Sequence, residues 1–219
     1  MEENDLIIAK TIDYIKNKFE GETTGHDWYH IERVYNLSIH LAEQEKTDLF
    51  VVKLAALLHD VADHKFHGGD ETVGPKTATV WMNNLKIDAD TKQKVIDIIK
   101  EISFKGANVP TPMSSLEGKI VQDADRLDAI GAIGIARCFA YSGSKKREIY
   151  NPDKPFKIHT HFDDYKNDNG SAVNHFYEKL LLLKNLMNTN SAKKMAEHRH
   201  KILENYLEEF FEEWNFKPC

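Results

Sequence analysis

The placement of proline constrains this chain more than any other feature. Its six prolines stand at 75, 110, 112, 152, 155 and 218. Residues 1–74, 113–151 and 156–217 are therefore free of the one residue that removes a helix hydrogen bond and clashes with the preceding turn. Apolar residues recur through those stretches at helical spacing. Residues 4–20 carry Leu6, Ile7, Ile8, Ile12, Ile15 and Phe19 in an i/i+4 stripe, and residues 26–44 put Ile31, Val34, Leu37 and Leu41 on one face. The run 48–62, DLFVVKLAALLHDVA, is apolar almost all round, as a helix buried on every side should be. Further helices are expected near 75–86, 89–101, 115–139, 172–187 and 190–214. The last of them carries Ile202, Leu203, Tyr206, Leu207, Phe210, Phe211 and Trp214 in a double column opposite its glutamates. No segment alternates long enough to be a strand. The pattern predicts an all-α fold, a single-domain helical bundle over residues 1–219.

Charge and cysteine content narrow the function. With 29 Lys+Arg against 35 Asp+Glu the net charge is −6, which argues against a nucleic-acid polymer as partner. No apolar run approaches the ~18–20 residues of a membrane span. Two cysteines, Cys138 and Cys219, exclude a disulfide framework and suit a reducing cytoplasm. The acidic start, Met-Glu-Glu-Asn-Asp, does not look like a secretory leader, so a cytoplasmic protein is expected. One segment, 140–171, has no period of its own. Its part 143–157 holds Lys145, Lys146, Arg147, Lys154 and Lys157 against only Glu148 and Asp153. That local positive charge suits a lid over an anionic substrate, Lys145, Lys146 and Arg147 being candidate contacts; a solvated surface loop is the plainer alternative.

Eleven histidines, several beside aspartate, direct attention to metal chemistry. His59-Asp60 closes the buried run AALLHD. A carboxylate leaving an apolar helix for the interior is costly unless paired or bound to a cation. Neighbours on a helix point ~100° apart, so the two side chains converge only on something in front of both. A metal ion meets that need, and so does a hydrogen-bonded pair at a helix end. His30 lies on the preceding amphipathic helix with Arg33. Far downstream, VQDADRLDAI places Asp123, Asp125 and Asp128 in an apolar, small-residue helix. There Asp125 is expected to share a face with Ala129, Ala132 and Ala136. Gly131 and Gly134 serve close packing in this reading, since no phosphate-binding G-x-x-x-x-G-K-[ST] loop is present. His26-Asp-Trp-Tyr-His30 has the i,i+4 histidines of a zinc protease with Asp for Glu, but no third ligand follows. His64, His67 and Asp70, and His159, His161 and Asp163, are accessory metal candidates or surface groups. His198 and His200 are expected to cap or pair acidic neighbours, and Cys138 to be a small buried apolar residue.

The order His30…His59-Asp60…Asp125 is similar to the metal-binding signature of the HD-domain phosphohydrolase superfamily. GHDWYHIERV, AALLHDVADHKF, VQDADRLDAIGAIGIAR and HFYEKLLLLKNLMNT extend the likeness to its YedJ/YpgQ-like bacterial subgroup, from about residue 20 to 215. The resemblance implies a helical metal core over about 26–139, with C-terminal packing helices over 172–215. It implies His30, His59, Asp60 and Asp125 as metal ligands for a divalent cation. Mn, Mg, Fe, Ni and Zn all suit mixed N/O ligands, and Mn is favoured. Asp63 and Lys65 fall where relatives place supporting or phosphate-contacting groups and, with Arg33, are the candidate catalytic residues. His26 and Arg126 are candidate substrate contacts, both arginines suiting the charge that develops on the phosphate. The activity implied is nucleotide phosphohydrolysis. A nucleoside triphosphate would be cut to a monophosphate and pyrophosphate by attack of metal-bound water. A nucleoside monophosphate phosphatase, a cyclic-nucleotide phosphodiesterase and a non-catalytic nucleotide sensor are the alternatives. The apolar C-terminal helix fits either a core role or a homodimer surface.

Overall fold

Asp27, Asp48, Asp88, Ser171 and Thr189 each hold extended backbone and accept a backbone N–H from the turn that follows, so each starts a helix. The computed structural model describes residues 3–22, 25–62, 70–107, 109–158 and 170–216. In chain order the α-helices are α1 (Glu3–Lys18), α2 (Trp28–Glu45), α3 (Leu49–Leu58), α4 (Val73–Asn84), α5 (Ala89–Glu101), α6 (Leu116–Asp128), α7 (Gly131–Ser144), α8 (Ala172–Glu178) and α9 (Asn190–Trp214). A 3-10 helix, Leu180–Leu186, lies between the last two. No strand occurs among the described residues, and the fold is all-α as the pattern requires. None of the described helices is long and apolar enough to cross a membrane.

The chain divides into two compact units, Met1–Phe104 with Pro110–Asp125, and Lys105–Val109 with Arg126–Cys219. In the first, α3 packs against α1, α2 and α5, and α4 against α5. Every one of Val51, Val52, Leu54, Ala55, Ala56, Leu57 and Leu58 is fully buried, which explains a helix with no polar face. Asp48 takes the N–H groups of Phe50 and Val51 at 3.0 and 3.4 Å and so fixes where this apolar rod begins. In the second unit α7 packs on α8 and α9, with the 3-10 helix against both of the latter. Phe176 is fully buried there, stacked on Tyr206 with centroids 5.7 Å apart.

Two expected helices are broken. The span 115–139 is α6 and α7, separated where Ile130 is extended and Gly131 takes φ +76°. A side chain at Gly131 would be strained by that φ and would also crowd Arg199, whose carbons stand 3.1 Å from an added Cβ. Arg199 Nη1 meanwhile donates to the Leu127 carbonyl at 2.6 Å, one of those left open where α6 ends. Asp125 therefore does not share a helix face with Ala132 and Ala136, which belong to α7. The span 172–187 divides at Lys179 (φ −141°, ψ −61°) into α8 and the 3-10 helix. The aperiodic segment also begins later than expected, since α7 continues to Ser144. Residues 148–157 are fastened to α8. Ala172 and Val173 donate to the carbonyls of Glu148 and Ile149 at 2.9 and 3.0 Å, and Asn174 to that of Lys154 at 2.9 Å.

Candidate metal centre

Local capping sets the first ligand. Asp27 Oδ1 accepts the His30 N–H at 2.9 Å, which places His30 in the first turn of α2 with its side chain fully buried. The same contact disposes of the protease-like motif. Asp27, its would-be base, is the N-cap, and His26 precedes the helix, so the two histidines are not one helical turn apart on a common face. His59 is the C-cap residue of α3, held in helical conformation at φ −58°, ψ −39°. Its Nδ1 donates to the Ala56 carbonyl at 2.8 Å. That hydrogen bond fixes the tautomer and leaves Nε2 with a lone pair aimed outward from α3.

Three side chains lie close to that nitrogen, and a fourth reaches one of them. His59 Nε2 is 3.3 Å from His30 Nε2, 3.6 Å from Asp60 Oδ2 and 4.0 Å from Asp125 Oδ1. His30 Nε2 lies 3.4 Å from Asp60 Oδ2 and 3.6 Å from Asp125 Oδ1. His26 Nδ1 stands 3.2 Å from Asp60 Oδ2. Two groups of potential ligands follow, His30 with His59 and Asp125, and His26 with His30 and Asp60. Burial alone would raise the Asp60 carboxyl. The charge of His59 outweighs it, together with hydrogen bonds from His26 and His30, and holds the group well below the usual carboxylate range. Asp60 is therefore an anion at neutral pH.

The donor set fits a divalent cation. Atoms bound at about 2.1 Å to one centre stand about 3.0–3.4 Å apart for octahedral or tetrahedral angles, and the inner distances here begin at 3.3 Å. The two Nε2 atoms stand 3.3 Å apart, and a proton or a cation between them lets both face the same space. Two carboxylates on the same spot supply the balancing charge. No thiolate takes part, so hard and borderline metals are suited alike.

The other sequence-predicted residues fall in different places. Arg33 is half-buried on α2. Asp63 and Lys65 lie outside the described residues, as do His64, His67, His159, His161 and Asp163. Arg126 is buried and its guanidinium donates to the Leu186 carbonyl, the last of the 3-10 helix. Lys145 and Lys146 are exposed at the end of α7, with the Lys145 ammonium 5.6 Å from the centre of the Tyr141 ring. Arg147 is half-buried, its N–H donating to the Ser142 carbonyl at 2.9 Å. Asp128 pairs with Arg137 at 3.0 Å, a contact between α6 and α7. Sequence reading missed Glu71, Lys100 and Ser103, which line a pocket bounded by His59 and Asp60. In the sequence Lys100 is one more charge on the polar side of an amphipathic helix, and only the packing of α3 on α5 reveals its position.

With this geometry in hand, comparison with known proteins is informative. The HD domain family matches residues 27–130. Uncharacterised protein YpgQ of Bacillus subtilis (strain 168) is 39% identical over 194 residues, 87% of this chain and 85% of YpgQ. The crystal structure of Bacillus subtilis YpgQ in complex with ADP superposes with a TM-score of 0.75 at 34% identity, covering 97% of both chains. An HD-superfamily hydrolase from Bacillus thuringiensis has a TM-score of 0.73 at 45% identity, covering 97% of this chain and 98% of that one.

Proposed function

The chain belongs to the HD-domain family and is a metal-dependent phosphohydrolase; from that premise we propose that it cleaves nucleoside triphosphates between the α- and β-phosphates. The observation that carries the proposal is that His30 and His59 each lie 3.4–4.0 Å from the carboxylates of both Asp60 and Asp125, with His26 on Asp60. In this reading His30, His59, Asp60 and Asp125 hold the cation. When bound, it supplies Lewis acidity at a phosphoryl oxygen and lowers the pKa of a water molecule. The nucleotide part is supported by the ADP found with YpgQ, and the cleavage site by likeness to the subgroup.

The chain's own groups then have assigned tasks. The carboxylates of Asp60 and Asp125 offset the charge of the cation. The Ala56 carbonyl keeps His59 in one tautomer and one orientation. His26, on Asp60, faces the incoming phosphate. Asp63 takes the proton of the attacking water. Lys65 and Arg33, with Arg126, balance the charge that develops on the phosphoryl oxygens. The water oxygen bonds to the α-phosphorus, and the bridging P–O bond to the β-phosphate breaks. Its electron pair leaves with pyrophosphate. Lys145, Lys146 and Arg147 complete the proposed substrate contacts, in a single-domain enzyme of the cytoplasm.

The test is product analysis by ³¹P NMR on metal-stripped protein resupplied with Mn²⁺, incubated with pooled deoxynucleoside triphosphates and, separately, pooled nucleoside monophosphates. Pyrophosphate from the first pool is expected, absent in Asp60→Ala. Orthophosphate from the second pool alone would replace the proposal with a monophosphatase. Silence in both pools with metal bound would favour a nucleotide sensor.

A further inference from the structure

We propose that the pocket walled by Lys100 and Ser103 beside His59 and Asp60 receives the phosphoryl group next to the one attacked, so that the enzyme selects polyphosphorylated over monophosphorylated substrates. The inference rests on the phosphohydrolase reading above and specifies which substrates that site accepts. His59, Asp60, Ala62, Glu71, Gly74, Pro75, Ile99, Lys100 and Ser103 bound this cavity of about 40 Å³. Two of the walls, His59 and Asp60, belong to the cluster itself, which is why the cavity is assigned to the phosphoryl group beside the one attacked.

Size and lining select the occupant. At roughly 10–15 Å³ per water position, the cavity takes about three waters or one phosphoryl group. Ala62, Gly74, Pro75 and Ile99 shape it without offering side-chain hydrogen bonds. Space is limited: an added Cβ on Gly74 would meet the Ala62 carbonyl at 3.3 Å. Lys100 supplies the ammonium. It is the basic residue of the last turn of α5, its side chain 54% exposed and in a loose pair with Asp97 at 3.5 Å. Such an exposed pair contributes little, and the ammonium has further donors to offer an anion. Ser103 adds a hydroxyl that donates to a phosphoryl oxygen. Glu71 would repel a bare phosphate, but polyphosphates in solution carry a divalent ion, and its carboxylate is suited to face that ion.

The wall is also held in place. Gln122, fully buried on α6, shares its Nε2 donors among the carbonyls of Glu101 (3.4 Å), Ile102 (3.5 Å) and Thr111 (3.4 Å). Glu101 Oε2 accepts from both the N–H and the hydroxyl of Ser114, at 2.9 and 3.0 Å. Lys100 and Ser103 therefore flank a backbone stretch pinned on two sides, which lowers the cost of ordering them around a ligand. Gln122 precedes Asp125 by one helical turn, so one helix presents a ligand candidate of the cluster and the clamp on the pocket.

Titration calorimetry of the Mn²⁺-loaded protein with inorganic pyrophosphate, and with inorganic phosphate for comparison, tests the pocket without turnover. Lys100→Ala should weaken pyrophosphate by about five- to tenfold and leave phosphate and metal content as in the wild type. Lys100→Arg should restore most of the loss, and Ser103→Ala should show a smaller one. In hydrolysis assays Lys100→Ala should raise KM for a triphosphate by the same factor with little change in kcat. Unchanged pyrophosphate affinity in both alanine variants would overturn the pocket even if triphosphates are cleaved. Wild-type protein that binds pyrophosphate through Lys100 yet cleaves no triphosphate would overturn the reaction and leave the pocket standing.

Discussion

The two units bury polar groups in different ways. In the unit that contains α7–α9, several buried polar side chains have a single complementary partner. Asp128 pairs with Arg137, Ser171 and Thr189 cap helices, Glu178 accepts the Lys157 N–H, and Asn174 donates to the Lys154 carbonyl. Each such contact fixes a helix end or a loop. In the unit that contains α1–α5, His30 and His59 are buried just as deeply. Yet their Nε2 atoms face each other at 3.3 Å across two carboxylates. Polar burial with complementary partners is architecture; polar burial with several acceptors turned to one point is a receptacle for a cation. The difference lies in geometry, not in the amount of charge buried.

Carboxamide substitutions in the two units should separate these roles, and the largest effect is expected at the cluster. Asp60→Asn should abolish tight metal binding and lower kcat/KM by more than the about 10- to 100-fold that loss of an outer partner costs, with little change in the melting temperature of the metal-free protein. Metal analysis alongside steady-state kinetics reads both. Asp128→Asn should do the reverse. Breaking its pair with the mostly buried Arg137 should cost about 1–3 kcal/mol, seen in urea unfolding, with metal content intact. An Asp128→Asn protein that unfolds normally but lacks metal would erase the contrast.

The apolar interior of the second unit gives the next effect. Phe176→Ala removes a fully buried ring that contacts Phe139 and Tyr206 and should cost about 3–5 kcal/mol. The denaturant midpoint should fall with the slope unchanged. A cost below about 1 kcal/mol would mean that the site collapses around the void.

How much of this was legible in the sequence follows from the same contrast. The α3 run was legible because seven buried apolar residues out of ten leave no polar face to misread. His30, His59, Asp60 and Asp125 were legible as a set through their resemblance to a known signature, since spacing alone admits a hydrogen-bonded pair. The break after α6 was not legible. Gly131 and Gly134 in a small-residue stretch suit a continuous close-packed helix equally well, and the φ of Gly131 answers to Arg199, 68 positions later. His26 was noticed for its spacing to His30, whereas what brings it to Asp60 is the Asp27 cap that starts α2 after it. Lys100 and Ser103 carried no sequence signal, because an exposed lysine at a helix end is ordinarily a partner for the helix dipole.

The smallest expected effect tests the contrast at the level of a single cap. Asp27 and Thr189 perform the same task in the two units, accepting the N–H three residues on, at 2.9 Å from His30 and 3.3 Å from Ala192. Replacing either by alanine should cost about 1 kcal/mol, or about 2–4 °C in melting temperature for a chain of this size. For Thr189→Ala that should be the whole effect. For Asp27→Ala the lost bond also frees the backbone of His30, a ligand candidate, so Mn²⁺ affinity should fall with stability. Asp27→Ser, which keeps an acceptor at the cap, should recover both. Calorimetric Mn²⁺ titrations of the three variants decide the matter. If metal affinity is insensitive to Asp27→Ala while the melting temperature falls as expected, His30 is oriented by the packing of α2 on α3, and its cap serves only the helix.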